Sequence, residues 1–197
     1  NVRSLGKLDL SEASHLTSIG SEAFINCSNL YEIVWPQDNN IENIGKKAFK
    51  NTSFENDYPT DFIVINDILY KFLDKEGNAR EVDMTTCAES EELLSVKKVA
   101  DNAFADALLL EKVTLSENVE VIGANAFANL EVLNQVNAGD KLYKVSATAF
   151  TGTKLIKETT PSADNNTVYL KDNSGNDVVA VKVGNVLVKV LDEDAID

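Results

Sequence analysis

The sequence predicts a repeat solenoid: a β-rich array of stacked coils with parallel strands, interrupted by β-hairpin or meander insertions. Three observations carry this. An Ala-Phe pair recurs at Ala23-Phe24, Ala48-Phe49, Ala103-Phe104, Ala126-Phe127 and Ala149-Phe150, at spacings of 23 to 25 residues on either side of one gap. A short alternating run of apolar and polar residues recurs between these pairs. A hairpin pattern appears twice, at an offset of 118 residues.

Each coil has the same grammar. Five residues before each Phe stands Ile19, Ile44, Val99, Ile122 or Val145, and eight before it stands Leu16, Ile41, Val96, Val119 or Leu142. These are the inward aliphatics of a short extended segment. Gly20, Gly45 and Gly123, with Ala100 and Ser146 in the other copies, keep the backbone slim ahead of the corner, where a larger side chain would meet the stacked neighbour. The second segment reads LYEIVW from Leu30, LEKVTL from Leu110 and LNQVNA from Leu133, with LGKLDL from Leu5 ahead of the first corner. Its final residues alternate with the period of a half-buried strand, so stacked copies pair these strands in parallel.

Along the chain, Leu5 to Trp35 supplies a strand, the Phe24 corner and a second strand, and PQDNN then leads to Phe49. The turn after Phe49, KNTSF, is shortened, and the shortening recurs after Phe150 in TGTKL. Between Phe49 and Phe104 lie 55 residues, so an insertion occupies the gap. It reads FIVI, Asn66-Asp67, ILYKFLD, KEGN and AREVDMT, a three-stranded meander by its turn signals and β-branched runs. TVYLKD, NSGN, DVVAVKV, Gly184-Asn185 and VLVKVLD repeat the plan, with Ile65 on Val183, Ile68 on Val186, Leu69 on Leu187 and Lys71 on Lys189. The expected organisation is one solenoid over 1–197, with repeats at about 1–58 and 91–160, a meander at about 59–90 and a second at about 161–197. Because the first hairpin is followed by a new coil, the natural protein is expected to continue beyond the second.

The intact copy LTSIGSEAFINCSNL, with the interrupting NDILYKF and GNVLVKV, resembles the BspA-type leucine-rich repeat of bacterial surface proteins. The resemblance runs from about Leu5 to Asp192. Ala100 and Ser146 replace its Gly, and Asn51-Thr52, Asp106-Ala107 and Gly152-Thr153 replace its Cys-containing turn. It implies a right-handed, α/β-type leucine-rich repeat fold, rich in β-structure, in an exported, non-catalytic protein at the cell surface or outside the cell, serving binding or adhesion.

Composition excludes more than it assigns. With 32 acidic against 18 basic residues the net charge is −14, which opposes binding to nucleic acid or to an anionic membrane surface. No apolar run approaches the ~20 residues of a membrane span. His15 is the single histidine and falls in a loop without a nucleophile motif, so a solvated side chain accounts for it. Cys27 and Cys87 lack zinc-ligand spacing, and Cys27 reads as a small buried residue. In an exported chain a Cys27–Cys87 disulfide is the alternative. Asp172, Ser174 and Asn176 alternate as calcium ligands do, but Gly175 is misplaced and no Glu closes the loop, so KDNSGND reads as a polar turn. No cofactor, metal or catalytic residue is expected.

Two functional readings remain, a module binding a protein or glycan of a host or bacterial surface, and a structural spacer or stalk. If Leu8, Leu10, Ile33, Trp35, Val113, Leu115, Val136 and Ala138 point inward, strand alternation turns Lys7, Asp9, Glu32, Val34, Lys112, Thr114, Gln135 and Asn137 outward. Those eight are the candidate binding face.

Overall fold

The computed structural model describes residues 4–37, 40–86, 90–156, 166–171 and 174–191. Strands β1 (Lys7–Asp9), β2 (Ser18–Ile19), β3 (Glu32–Val34) and β4 (Asn43–Ile44) build the first coils, and a single helical turn, α1 (Ser53–Asn56), follows. The hairpin β5 (Phe62–Ile65) and β6 (Ile68–Phe72) comes next, then β7 (Glu81–Asp83) and α2 (Ser90–Leu94). Further coils carry β8 (Lys98–Val99), β9 (Lys112–Thr114), β10 (Val121–Ile122), β11 (Gln135–Asn137) and β12 (Lys144–Val145), and end in a 3-10 turn at Lys154–Ile156. A last sheet holds β13 (Thr167–Lys171), β14 (Asp177–Val183) and β15 (Val186–Val190).

The coils stack as the repeat grammar requires, through two series of parallel ladders. In one, Leu8 faces Ile33, and Val82, Val113 and Val136 stand in line. In the other, Ile19 faces Ile44, and Leu69, Val99, Ile122 and Val145 stand in line. The expected inward residues Val113, Leu115 and Val136 are at most 2% exposed, while Leu8, Ile33, Trp35 and Ala138 are partly buried against the core and Leu10 is half-buried. Close stacking explains two of the glycines. A Cβ on Gly45 would lie 2.3 Å from the Ser21 nitrogen, and one on Gly123 would lie 2.8 Å from the Asp101 nitrogen. Gly20, in the first coil, meets nothing within 4 Å.

Each corner turns through left-handed residues the apolar pattern did not announce. Glu22, Lys47, Asn102 and Asn125 stand two before the Phe, and Asn26, Asn51, Asn129 and Gly152 two after it, all at positive φ. Asparagine and glycine are the residues that reach this region at low cost.

The phenylalanines form two stacks where one continuous ladder was expected. Phe24 lies on Phe49 with centroids 5.5 Å apart, and Phe104, Phe127 and Phe150 follow at 4.6 and 5.2 Å. Between the stacks stands the β5–β6 hairpin, whose β5 is buried along its whole length. Ile63, Ile65, Ile68 and Tyr70 join the N-terminal core, and Phe62, Val64, Leu69 and Phe72 join the C-terminal one. A strand buried on both faces has no reason to alternate, which is why FIVI is uninterruptedly apolar.

The internal duplication extends to backbone irregularities. Ile65 pairs with Ile68 as Val183 pairs with Val186, and the register slips between Ile63 and Val64 as it does between Val181 and Lys182, at the same offset of 118. The third strand differs, however. β13, β14 and β15 form the expected antiparallel meander, but β7 leaves its hairpin and pairs in parallel with β9. The reason is edge occupancy: β5 takes one edge of β6 and β8 takes the other, so AREVDMT finds its partner in the other ladder series.

Candidate functional site

The predicted face divides into two sheets that no ladder joins. On β1 and β3, Lys7 stands beside Glu32 and Asp9 beside Val34, and the Lys7 ammonium reaches the Glu32 carboxylate at 2.7 Å. Hydrogen bonding to Glu32, aided by its charge, raises the Lys7 pKa, and the Ser11 N–H donated to Asp9 lowers that carboxyl's. On β9 and β11, Lys112 stands beside Gln135 and Thr114 beside Asn137. All eight predicted residues thus lie at exposed or half-buried positions, four on each sheet.

Two residues of this face escaped the sequence reading. Glu81 stands in line with Lys112, and Asp83 with Thr114, because β7 is the third strand of this sheet. A signal for it existed, since Glu81-Val82-Asp83 has the polar, aliphatic, polar order of Lys7-Leu8-Asp9 and Lys112-Val113-Thr114. The rows bond mostly to themselves. Lys112 approaches Glu81 at 3.9 Å, the Asn137 amide donates to the Thr114 hydroxyl at 3.2 Å, and the Gln135 amide donates to Asn137 at 3.2 Å. Hydrogen bonds from the Thr85 hydroxyl and N–H keep the Asp83 carboxyl below its ordinary pKa.

The other polar concentration lies where the hairpin parts the coils. Glu55 on α1 is 3% exposed and accepts from the Tyr70 hydroxyl at 3.1 Å and from Lys71 at 2.7 Å. Lys71 also reaches Asp106 at 3.1 Å. Burial alone would depress the Lys71 pKa, but its two carboxylate partners outweigh that and raise it. Burial, with the Glu55 charge behind it, also pushes the Tyr70 phenol strongly upward, so the hydroxyl keeps its proton. Thr52 caps α1, accepting from the Glu55 N–H at 3.1 Å, and this turns Glu55 inward. Nothing in the repeat grammar pointed to this network, because its members come from a shortened turn and an insertion.

His15 is exposed in its loop. Cys27 is a buried free thiol, while Cys87, its partner in the disulfide alternative, lies outside the described residues, as do Asp172 and the segment after Leu191. Among the described residues no group of three or more His, Cys, Asp or Glu side chains is arranged to hold a metal ion. Among the described residues no helix is long and apolar enough to cross a membrane.

A family model described as BspA type leucine rich repeat region matches residues 1–72 and 96–173, in 6 copies. The unmatched stretch between them carries β7 and α2, where the chain departs from the coil pattern. No curated protein sequence matches. The crystal structure of the pneumococcal vaccine antigen PcpA is similar over 77% of this chain and 49% of that one, at 14% identity and a TM-score of 0.40, so the likeness spans about half of that chain's length. With parallel ladders, corner phenylalanines and a family match over well over half of its length, the chain belongs to the BspA type leucine-rich repeat family.

Proposed function

We propose that the chain is a non-catalytic binding module, secreted or displayed at a cell surface, that adheres to a protein or glycan partner through its outward strand face. The observation behind this reading is the register of β7, β9 and β11. It sets Glu81, Lys112 and Gln135 in one row and Asp83, Thr114 and Asn137 in the next, an ordered array of charged, hydroxyl and amide groups. Extended repeat surfaces of this kind suit large partners. The test takes a host matrix protein or glycan captured by the intact chain and remeasures affinity after Glu32→Ala, Lys112→Ala and Gln135→Ala together. A loss of about tenfold or more on folded protein, the scale of one charge-assisted hydrogen bond, supports the face. An unchanged affinity moves the site elsewhere.

A structural spacer is the second reading, favoured by one observation. The Lys7–Glu32 pair and the Gln135, Asn137 and Thr114 bonds satisfy the face internally, so it needs no partner. A spacer would show no saturable capture of any surface ligand and would tolerate the triple substitution without loss of whatever domain it displays.

A further inference from the structure

The hairpin that divides the core also breaks a hydrogen-bond ladder, and the break leaves a cleft. At the first junction the corners are joined by three rungs: Glu22 donates to Lys46, Phe24 to Ala48 and Asn26 to Lys50, at 3.0, 2.8 and 2.9 Å. Asn102 and Phe104 donate to Ala124 and Ala126 in the same way. Between the Phe49 and Phe104 corners only the central rung is replaced. There the Phe49 N–H donates to the Tyr70 hydroxyl at 3.1 Å, and the Phe72 N–H donates to the Ala103 carbonyl at 2.8 Å. The flanking N–H groups of Lys47 and Asn51, and the flanking carbonyls of Asp101 and Ala105, have no backbone partner among the described residues.

Three of these four residues, Lys47, Asp101 and Ala105, line a solvent-open cleft with about 70 Å³ of free space. Its two walls differ in kind. One carries Lys46, Lys47 and Lys50, none of which forms an ion pair among the described residues, in a chain of net charge −14. The other carries the Asp101 and Asp106 carboxylates. The floor is the network of buried Glu55 and Tyr70 with half-buried Lys71, already bonded to one another, so it needs no rearrangement to receive a ligand. One wall donates and the opposite wall accepts.

We propose that this cleft binds a carboxylate-bearing sugar, the acidic terminus of a glycan. Its carboxylate lies against the three ammonium groups and the Lys47 N–H, and its hydroxyls donate to the Asp106 carboxylate and the Asp101 and Ala105 carbonyls. Hydroxyl donors rotate to find acceptors, which suits carbonyls left at ladder spacing. A sulfate is acceptor-only and would set its charge against the acidic wall. The overall negative charge acts weakly at this range, since the Debye length is about 8 Å in physiological salt. The site is separate from the strand face and stands or falls independently of it.

The test titrates the whole chain with glucuronic acid and N-acetylneuraminic acid by NMR, with glucose, inorganic sulfate and a glutamate-rich peptide as comparisons. The expected result is saturable binding of at least one acid, with shifts at the Lys47 and Ala105 amides. Glucose should bind at least about tenfold more weakly, the equivalent of one charge-assisted hydrogen bond. Lys46→Gln with Lys50→Gln should weaken the acid similarly, and Lys46→Gln alone, at an exposed position, serves if the pair lowers the melting temperature. Asp106→Asn should weaken the acid but strengthen sulfate, which a bare cationic patch would not do. Saturation by neither acid overturns the proposal, and so does equal affinity for glucose. Sulfate or the peptide binding more tightly than both acids, or full affinity in the lysine variants, overturns it as well.

Discussion

Phe127 is fully buried between Phe104 and Phe150, with centroids 4.6 and 5.2 Å away, so its ring cannot be removed without opening space on both sides. Phe127→Ala should cost about 3 to 5 kcal/mol in urea denaturation, the usual loss for emptying a buried aromatic site. A loss under about 1 kcal/mol would mean the stack is not what holds the coils together. Phe24 is only half-buried, and the same change there should cost visibly less. At this scale the corner phenylalanines and the aliphatics ahead of them were legible, because apolar burial writes a period into the chain. The left-handed corner residues were less so. Asn102 and Asn125 carry the signal, but Glu22 and Lys47 adopt the same φ without it, since stacking overrides their local preference. Glu55 was illegible, as an acid in a surface-like turn gives no hint that Tyr70 and Lys71 will arrive beside it.

Between residues and the whole stand the ladders and what ends them. On β11 the outer groups of Val136 are met by one side chain: the Val136 N–H donates to Asn166 at 2.9 Å, and the Asn166 amide donates back to the Val136 carbonyl. An amide side chain here makes the two bonds that another strand would make. Val136 is fully buried, so Asn166→Ala should cost about 1 to 3 kcal/mol, the penalty for leaving such groups unpaired. Asn166→Asp keeps the acceptor and removes the donor, and it should be destabilising too; a neutral outcome in both would show that water replaces the amide. Paired strands were legible from alternation, and the hairpins from their turns and their shared offset. The fate of β7 was not. A strand's partner depends on which edges are already occupied, and no run of residues within AREVDMT records that β8 holds β6. The same dependence hid Glu81 and Asp83 from the candidate face.

At the scale of the molecule, the hairpin makes one solenoid into two cores that share a wall. Ile63 points into the core of the first coils and Val64 into that of the later ones, although they are adjacent on β5. Repeat arrays transmit stability through nearest neighbours, so a loss on one face of the wall should be felt mainly by the coils on that face. Hydrogen exchange resolves such differences residue by residue. Ile63→Ala removes a fully buried side chain and should cost about 2 to 5 kcal/mol, with faster exchange at β4 amides such as Ile44. Val64→Ala should instead speed exchange on the far side, at β8 and β10 amides such as Val99 and Ile122. The first block should also be the less stable one before any substitution, because Leu16 and Phe24 are only half-buried whereas Val119 and Phe127 are fully buried. If both variants instead accelerate exchange equally in all coils, the wall does not separate the cores energetically, and the chain unfolds as a single cooperative unit in which the cleft beside Lys71 is coupled to every coil.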